Sequence, residues 1–239
     1  MQVTGVKMFD FYIQSKEDLE KAVDKLGFLP FFANEIPGFS IEEHCAPEVY
    51  FSDQPGVWEW KGPIVQETRC AYGKFFMKKA GFISREWFYD FANYRRDGYD
   101  FDARFEDGLA TYNEQYLYNI IAARHSVLSR EAKAIGGYVK PREKSKDAWQ
   151  PRKGFDTLIT KLQMQCYVLT SDFEYEVDKN GKFYGWGVAR YATPEEFYGK
   201  SFSEKVYSRK PEESHARILQ YWRKLLPQAS EASIRRMLG

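Results

Sequence analysis

The sequence predicts an α+β fold with tandem winged helix-turn-helix modules, an N-terminal helical and irregular segment, and C-terminal packing helices. Signals for a helix, a short helix, a third helix and a hairpin follow one another between residues 115 and 191, which is the order of a winged helix. A similar helix-plus-strand-pair pattern precedes them. The 239 residues are 44% hydrophobic and 29% charged, which is ordinary for a globular protein of one large or two small domains.

Residues 1–56 are predicted to form a helix and an aromatic connector. Ser15 is a natural N-cap for a helix that ends near Leu26, and Gly27 is placed to stop it. The following stretch combines prolines with many aromatic residues, so we expect an irregular but packed segment. It carries no motif that we can assign to chemistry.

Residues 57–114 are predicted to form a first, degenerate winged-helix-like unit. Pro63 suits the first turn of a helix, which we expect to continue to about Phe76. The segment GFISREWFYDF, which begins at Gly81, is rich in aromatic and β-branched residues and therefore predicts a strand pair.

Residues 115–200 are predicted to form a second winged helix, followed by packing helices at 201–239. EQYLYNIIAARHSV has helical periodicity, Ser129 can cap a short second helix, and a third helix is expected from about Gly154 to Cys166. Asn180-Gly181 then predicts a hairpin, the wing. The link KPREKSKDAWQPRK before the third helix is long, with six basic against two acidic residues.

Composition narrows the functional classes. The net charge of +1 means that nucleic-acid binding must rest on locally clustered charge. Three cysteines without CxxC spacing, no signal-like start and no long apolar run predict a cytoplasmic protein that does not enter a membrane. The three histidines are far apart and nucleotide fingerprints are missing, so we expect no metal site and no small-molecule cofactor.

The third helix of the second unit offers a candidate DNA-binding face. If Phe155, Ile159 and Leu162 point inward, then threonine and lysine side chains, which commonly contact phosphates and base edges, point outward. The basic link and the wing would add phosphate contacts. The predicted DNA-binding residues are Lys144, Lys146, Arg152, Lys153, Thr157, Thr160, Lys161, Lys179 and Lys182.

A scaffold role is the alternative for this unit. Glu174, Glu176 and Asp178 on the wing would repel phosphate, and winged helices also serve as protein-interaction modules. Duplex DNA is therefore the partner that we expect first, and another protein is the second choice.

Two resemblances sharpen the prediction. WEWKGPIVQETRCAYGKFFMKKAGFISREWFYDF resembles the middle of the AlkZ/YcaQ family of bacterial DNA glycosylases, with Trp58, Trp60 and Lys61 in a W-x-W-K element and Phe88-Tyr89-Asp90 at the far end. The whole chain resembles a shorter group of AlkZ-related proteins through CAYGKFF, FANYRRDGYDFDA, GFDTLITKLQMQ and YGWGVARYATPE. The resemblance implies DNA-repair ancestry and a tandem winged-helix architecture.

The resemblance also raises the question of catalysis. The glycosylases excise N-alkylated bases, and a Gln-apolar-Gln or Gln-apolar-Asp element in an N-terminal winged helix positions the attacking water. Gln163-Met164-Gln165 fits those letters, but it follows the W-x-W-K element instead of preceding it. Its position favours a plain helix exit, with Gln163 at the flank of the helix and Gln165 near its end, because glutamine is a good helix former and needs no special cause there.

The carboxylate-rich segment YRRDGYDFDARFEDG supplies the other catalytic candidates. Asp100 and Asp102 can activate water at a glycosidic carbon, or they can belong to a turn whose acids pair with neighbouring arginines. Three hypotheses therefore stand: a duplex DNA-binding protein without glycosylase activity, a DNA glycosylase for N-alkylated purines, and a protein-interaction scaffold.

Overall fold

The computed structural model describes residues 11–51, 55–139, 150–179 and 183–239, without the side chains of residues 177 and 183–186. The strands are β1 (Phe28–Pro30), β2 (Ala71–Phe76), β3 (Lys79–Ile83), β4 (Val127–Leu128), β5 (Leu169–Val177) and β6 (Phe183–Ala192). The helices are α1 (Lys16–Leu26), α2 (Ile41–His44), α3 (Pro47–Tyr50), α4 (Val57–Thr68), α5 (Arg85–Arg96), α6 (Phe101–Glu106), α7 (Tyr112–Ala122), α8 (Ser129–Ile135), α9 (Phe155–Met164), α10 (Pro194–Tyr198), α11 (Ser201–Val206), α12 (Pro211–Leu225) and α13 (Glu231–Leu238).

The strands form two antiparallel three-stranded sheets, so the α+β class is confirmed. The sheet orders are β1-β3-β2 and β4-β6-β5, and in each sheet the first strand pairs with the last. The elements follow the same order in two halves of the chain, α1 to β3 and α7 to β6. Each half has a helix, a short strand, one or two short helices, a longer helix, and two strands. The chain therefore repeats one topology, and the first copy begins at α1.

Three predictions for the first half are wrong. Pro63 lies inside its helix instead of in the first turn, because the helix begins at Val57. The helix that contains Pro63 ends at Thr68, because Arg69 turns the chain with a φ of 57° and the next residues pair as β2 with β3. The second part of GFISREWFYDF is helix α5 instead of a strand. Phe88, Phe91 and Ala92 are buried at helical spacing, and tertiary packing of this face overrides the strand propensity of the aromatic residues.

The predicted start of α1 and the third helix of the second half agree with the structure, but the predicted cap of α8 is wrong. Ser129 is the first residue of α8, and the N-cap is Leu128, whose backbone N–H donates to the Glu131 side chain. Ser15 forms a capping box with Asp18, and Gly27 ends α1 with a φ of 68°. Helix α9 occupies residues 155–164, within the predicted span. The helical periodicity was strong at both places, and capping residues reinforced it at α1.

The core consists of two hydrophobic clusters. The first is built from the N-terminal half and the C-terminal helices, where the rings of Phe28, Phe39 and Phe76 surround Trp222, a fully buried residue of α12. The second lies inside the other half, around Leu117, Ile121, Phe155, Ile159 and Leu162. No helix among the described residues is long and apolar enough to cross a membrane.

The two halves pack reciprocally. Helix α9 of the second half contacts β2 of the first, and helix α4 of the first half contacts β5 of the second. A glutamine near the end of each helix makes the link: Gln163 Oε1 accepts a hydrogen bond from Lys74 N at 2.9 Å, and Gln66 Nε2 donates one to Ser171 O. One edge of each long helix is thus covered by the hairpin of the other half.

Candidate nucleic-acid interface

An open groove of about 600 Å³ runs between the outer face of α9 and the β2–β3 hairpin. Its volume lies in the range of ligand-binding clefts. Four cationic side chains line it, and Asp156 is the only carboxylate among its described lining residues. The lining consists of Lys74, Lys78, Arg95, Asp156, Thr157, Thr160, Lys161, Met164 and Gln165.

The outer face of α9 is set by its apolar face. Phe155, Ile159 and Leu162 are buried in the second cluster, so helical periodicity turns Asp156, Thr157 and Lys161 outward, and all three are exposed. The outward register that the sequence predicted is therefore the one observed.

The β2–β3 turn brings two lysines to the groove. Met77 and Lys78 adopt positive φ angles of 48° and 67°, which gives a tight turn and leaves Lys78 exposed. Lys74, earlier on β2, is half-buried and donates from Nζ to Thr160 Oγ1 at 3.2 Å. Because these lysines belong to the first half, the positive charge of the groove arises from both halves of the fold.

Lys161 is held by a buried acid. Its Nζ lies 2.8 Å from Glu114 Oε1, and the Glu114 side chain is only 1% exposed. Burial raises the pKa of Glu114, but the hydrogen bonds from Lys161 and Thr111 outweigh it and lower that pKa below its ordinary value. The ammonium of Lys161 is therefore partly neutralised, although about half of its side chain is exposed.

The comparisons with known proteins identify the family. A family model described as AlkZ related matches residues 13–239. The chain belongs to the AlkZ-related family. No curated protein and no solved structure matches it.

The other predicted DNA-binding residues of the AlkZ-related chain either do not line this groove or lie outside the described residues. Arg152 and Lys153 precede α9 and are exposed, and Lys179 is exposed just after β5. Lys144, Lys146 and Lys182 lie outside the described residues. The DNA-binding role of all these residues stays a prediction.

Arginines neutralise two of the wing acids that favoured the scaffold alternative. Arg130 pairs with both Glu174 and Glu176, and Arg190 also pairs with Glu174 at 3.1 Å. These pairs weaken the electrostatic objection to phosphate binding near the β5–β6 hairpin, the predicted wing.

The two glutamines of the Gln-Met-Gln element occupy different environments. Gln163 was expected at the flank of α9, but it is 2% exposed and its carbonyl is committed to the backbone of β2. Gln165 follows α9 and lines the groove, and its buried Oε1 has no hydrogen-bond partner among the described residues. Of the two glutamines, only Gln165 therefore offers a polar group to a ligand in the groove.

Asp100 and Asp102 lie apart from the groove lining. Asp100 is the N-cap of α6 and accepts a hydrogen bond from Ala103 N at 2.8 Å, and Asp102 is exposed in the first turn of that helix. The described residues show no ion pair between either carboxylate and an arginine, so the expected acid–arginine pairing is not seen for these two. The N-cap role of Asp100 and the first-turn position of Asp102 account for both acidic residues without a catalytic role.

The W-x-W-K residues form an aromatic enclosure. Lys61 is 7% exposed, and its Nζ lies 4.2 Å from the ring centroid of Phe173 and 5.0 Å from that of Trp58. Trp58 Nε1 donates to Tyr50 O at 2.9 Å, and Trp60 packs against the first cluster. Burial lowers the pKa of Lys61 to about 8.

Sequence reasoning missed two sets of residues in the AlkZ-related chain. Lys74, Lys78 and Arg95 line the groove. The only sequence signal that could have indicated them was the basic turn Lys78-Lys79, because a groove between elements that are distant in the chain leaves no periodic pattern in the sequence. Arg96 is fully buried and pairs with Glu195 at 2.6 Å while donating to Cys166 O. It ties α5 to the segments that flank the second sheet.

Proposed function

We propose that this AlkZ-related chain is a cytoplasmic tandem winged-helix protein that binds duplex DNA through α9 and the β2–β3 hairpin. The observation that carries the proposal is the groove, whose described lining has four cations against one carboxylate. DNA phosphates are bound mainly by such clusters of lysine and arginine.

The repeated topology supports the winged-helix assignment. In the second half, α7, β4, α8, α9, β5 and β6 follow one another in the order of a winged helix, and β4 pairs with β6 as the first strand of such a unit does. The same order from α1 to β3 favours a first unit that begins near Lys16 and includes the N-terminal helix, which the predicted boundary at residue 57 had left out.

The proposed binding mode uses the N-terminal half of α9. Recognition helices contact base edges with their first residues, and Thr157 lies there, exposed, after the exposed cations Arg152 and Lys153. The C-terminal half of α9 is partly covered by β2, so Lys74 and Lys78 would meet the phosphate backbone instead of the bases.

The test is a fluorescence-anisotropy titration of labelled duplex over a range of salt concentrations. Replacing Lys74, Lys78 and Lys153 by glutamine should weaken binding and lower the salt slope by about 0.9 for each lost phosphate contact. Lys161 is left intact because its removal would leave the buried Glu114 unpaired. The control replaces Lys21 and Lys25, exposed on α1, by glutamine. An unchanged slope in the triple variant would refute this interface.

A second candidate function is excision of N-alkylated purines, and one observation favours it. Gln165 presents an unpartnered buried carbonyl oxygen in a groove that also contains Asp156. Such groups can position a water for attack on a glycosidic carbon. Single-turnover assays on N7-methylated duplex should then show base release that Gln165→Leu abolishes. If excess wild-type protein releases no base, this function is eliminated and the DNA-binding proposal is unaffected.

A further inference from the structure

Two tyrosines lie on one face of the first turns of α7, and Tyr116 is partly buried against the second hydrophobic cluster. Tyr112 is 63% exposed, and Tyr116 follows it at the i+4 position of the same helix. Their rings are nearly parallel, with centroids 6.3 Å apart and an interplanar angle of 21°. A tyrosine this exposed contributes little to the core, so its ring is available to a ligand.

A cation completes this surface. The Arg152 guanidinium carbon lies 4.2 Å from the ring centroid of Tyr116, and Arg152 Nη1 donates to Asn113 Oδ1 at 3.4 Å. Lys153 follows Arg152 and is exposed. Aromatic rings beside lysine and arginine are the combination that holds unpaired nucleic-acid bases, which stack on the rings while cations bind the backbone.

The tyrosines adjoin the groove. Asn113 contacts Arg152, and the next residue, Glu114, binds Lys161, which lines the groove. Arg152 lies two residues before Gly154, the N-cap of α9, so the Tyr116–Arg152 pair is near the N-terminal end of that helix.

We propose that Tyr112, Tyr116 and Arg152 form a stacking platform for an unpaired base next to the bound duplex. This inference rests on the proposed DNA binding and specifies its substrate as duplex with an adjoining single strand. A protein partner fits less well, because the surface is two rings bordered by cations and not a broad apolar patch.

The test compares three labelled probes in anisotropy titrations: a blunt duplex, the same duplex with a short thymidine extension, and an oligothymidine single strand. The wild type should bind the extended duplex about tenfold more tightly than the blunt one, in line with stacking of one or two bases. Tyr112→Leu with Tyr116→Leu should abolish this difference and leave blunt-duplex affinity unchanged. Tyr112→Phe with Tyr116→Phe should retain it.

Leu109→Ala, which alters an exposed apolar side chain just before α7, is the matched control and should bind like the wild type. Equal binding of blunt and extended duplex by the wild type would overturn the platform and leave the proposed function standing. Tyrosine-dependent binding of the single strand without any duplex binding would support the platform and refute the duplex interface. Failure to bind all three probes would overturn both.

Discussion

Replacing Lys61 by methionine should stabilise the protein near neutral pH. Lys61 is almost fully buried, and no acid among the described residues pairs with its ammonium group. Burial lowers its pKa from the ordinary 10.5 to about 8, and the charge of Glu59 opposes this shift. Methionine keeps the unbranched shape and removes the charge that the enclosure must hold.

The magnitude follows from the two pKa values. The difference between the ordinary pKa of 10.5 and the folded pKa of about 8 corresponds, at about 1.36 kcal/mol per pKa unit, to a cost of about 3 kcal/mol for keeping Lys61 protonated in the folded state. The ring centroids of Phe173, Trp58 and Tyr72 lie 4.2, 5.0 and 6.0 Å from Lys61 Nζ, and their attraction for the ammonium offsets about 0.5–2 kcal/mol of this cost. We therefore expect Lys61→Met to raise the free energy of unfolding by about 1–3 kcal/mol.

The pH dependence gives a second signature. Below about pH 8, Lys61 is protonated in both the folded and the unfolded chain, so the full penalty is present. Between pH 8 and 10.5 the unfolded chain binds more protons, and the wild type gains stability as pH rises. The advantage of Lys61→Met should therefore shrink over this range.

Urea unfolding of both proteins near pH 7 and near pH 10 measures these effects. Lys25→Met, at an exposed position of α1, is the control and should change stability by less than about 0.5 kcal/mol. A Lys61→Met variant that is less stable than the wild type near pH 7, or an advantage that does not depend on pH, would refute the reasoning. The first of these results would mean that the aromatic rings stabilise the ammonium more than burial destabilises it.

Three further predictions use the same unfolding measurement. Gln163→Leu should cost about 1–3 kcal/mol, because the backbone N–H of Lys74 loses its acceptor; an unchanged unfolding midpoint would mean that water replaces it. Arg96→Leu should cost about 3–5 kcal/mol, because Glu195 and the Cys166 carbonyl lose a buried partner; a loss below 1 kcal/mol would contradict this. Glu114→Gln should cost about 2 kcal/mol near pH 7. Because the folded pKa of Glu114 is lowered, its contribution to the free energy of unfolding is present above its ordinary pKa and disappears as pH falls through the folded pKa. The variant should therefore lose less stability in acid than the wild type. Parallel curves of stability against pH in acid would contradict this prediction.

Local sequence signals determined a good part of the fold. Ser15, Gly27 and the apolar spacing of α9 act within a few residues, so capping and periodicity predicted α1, α9 and the outward direction of Thr157 and Lys161. The same signals failed at α5, where a strand-like run of aromatic residues is helical. Its apolar face packs against β2 and α12, and local propensity does not contain that information.

The tertiary structure alone decided the character of the candidate site. Gln163 resembled a helix exit or a catalytic group, and it is a bridge to a strand 89 positions earlier in the chain. The groove exists because the β2–β3 hairpin of one half lies on the third helix of the other, which brings Lys74 and Lys78 to Lys161. The sequence by itself supplied the family resemblance and the exposed face of α9. Burial and long-range pairing depend on which elements meet, so only the assembled fold could show which polar residues remain available to a ligand.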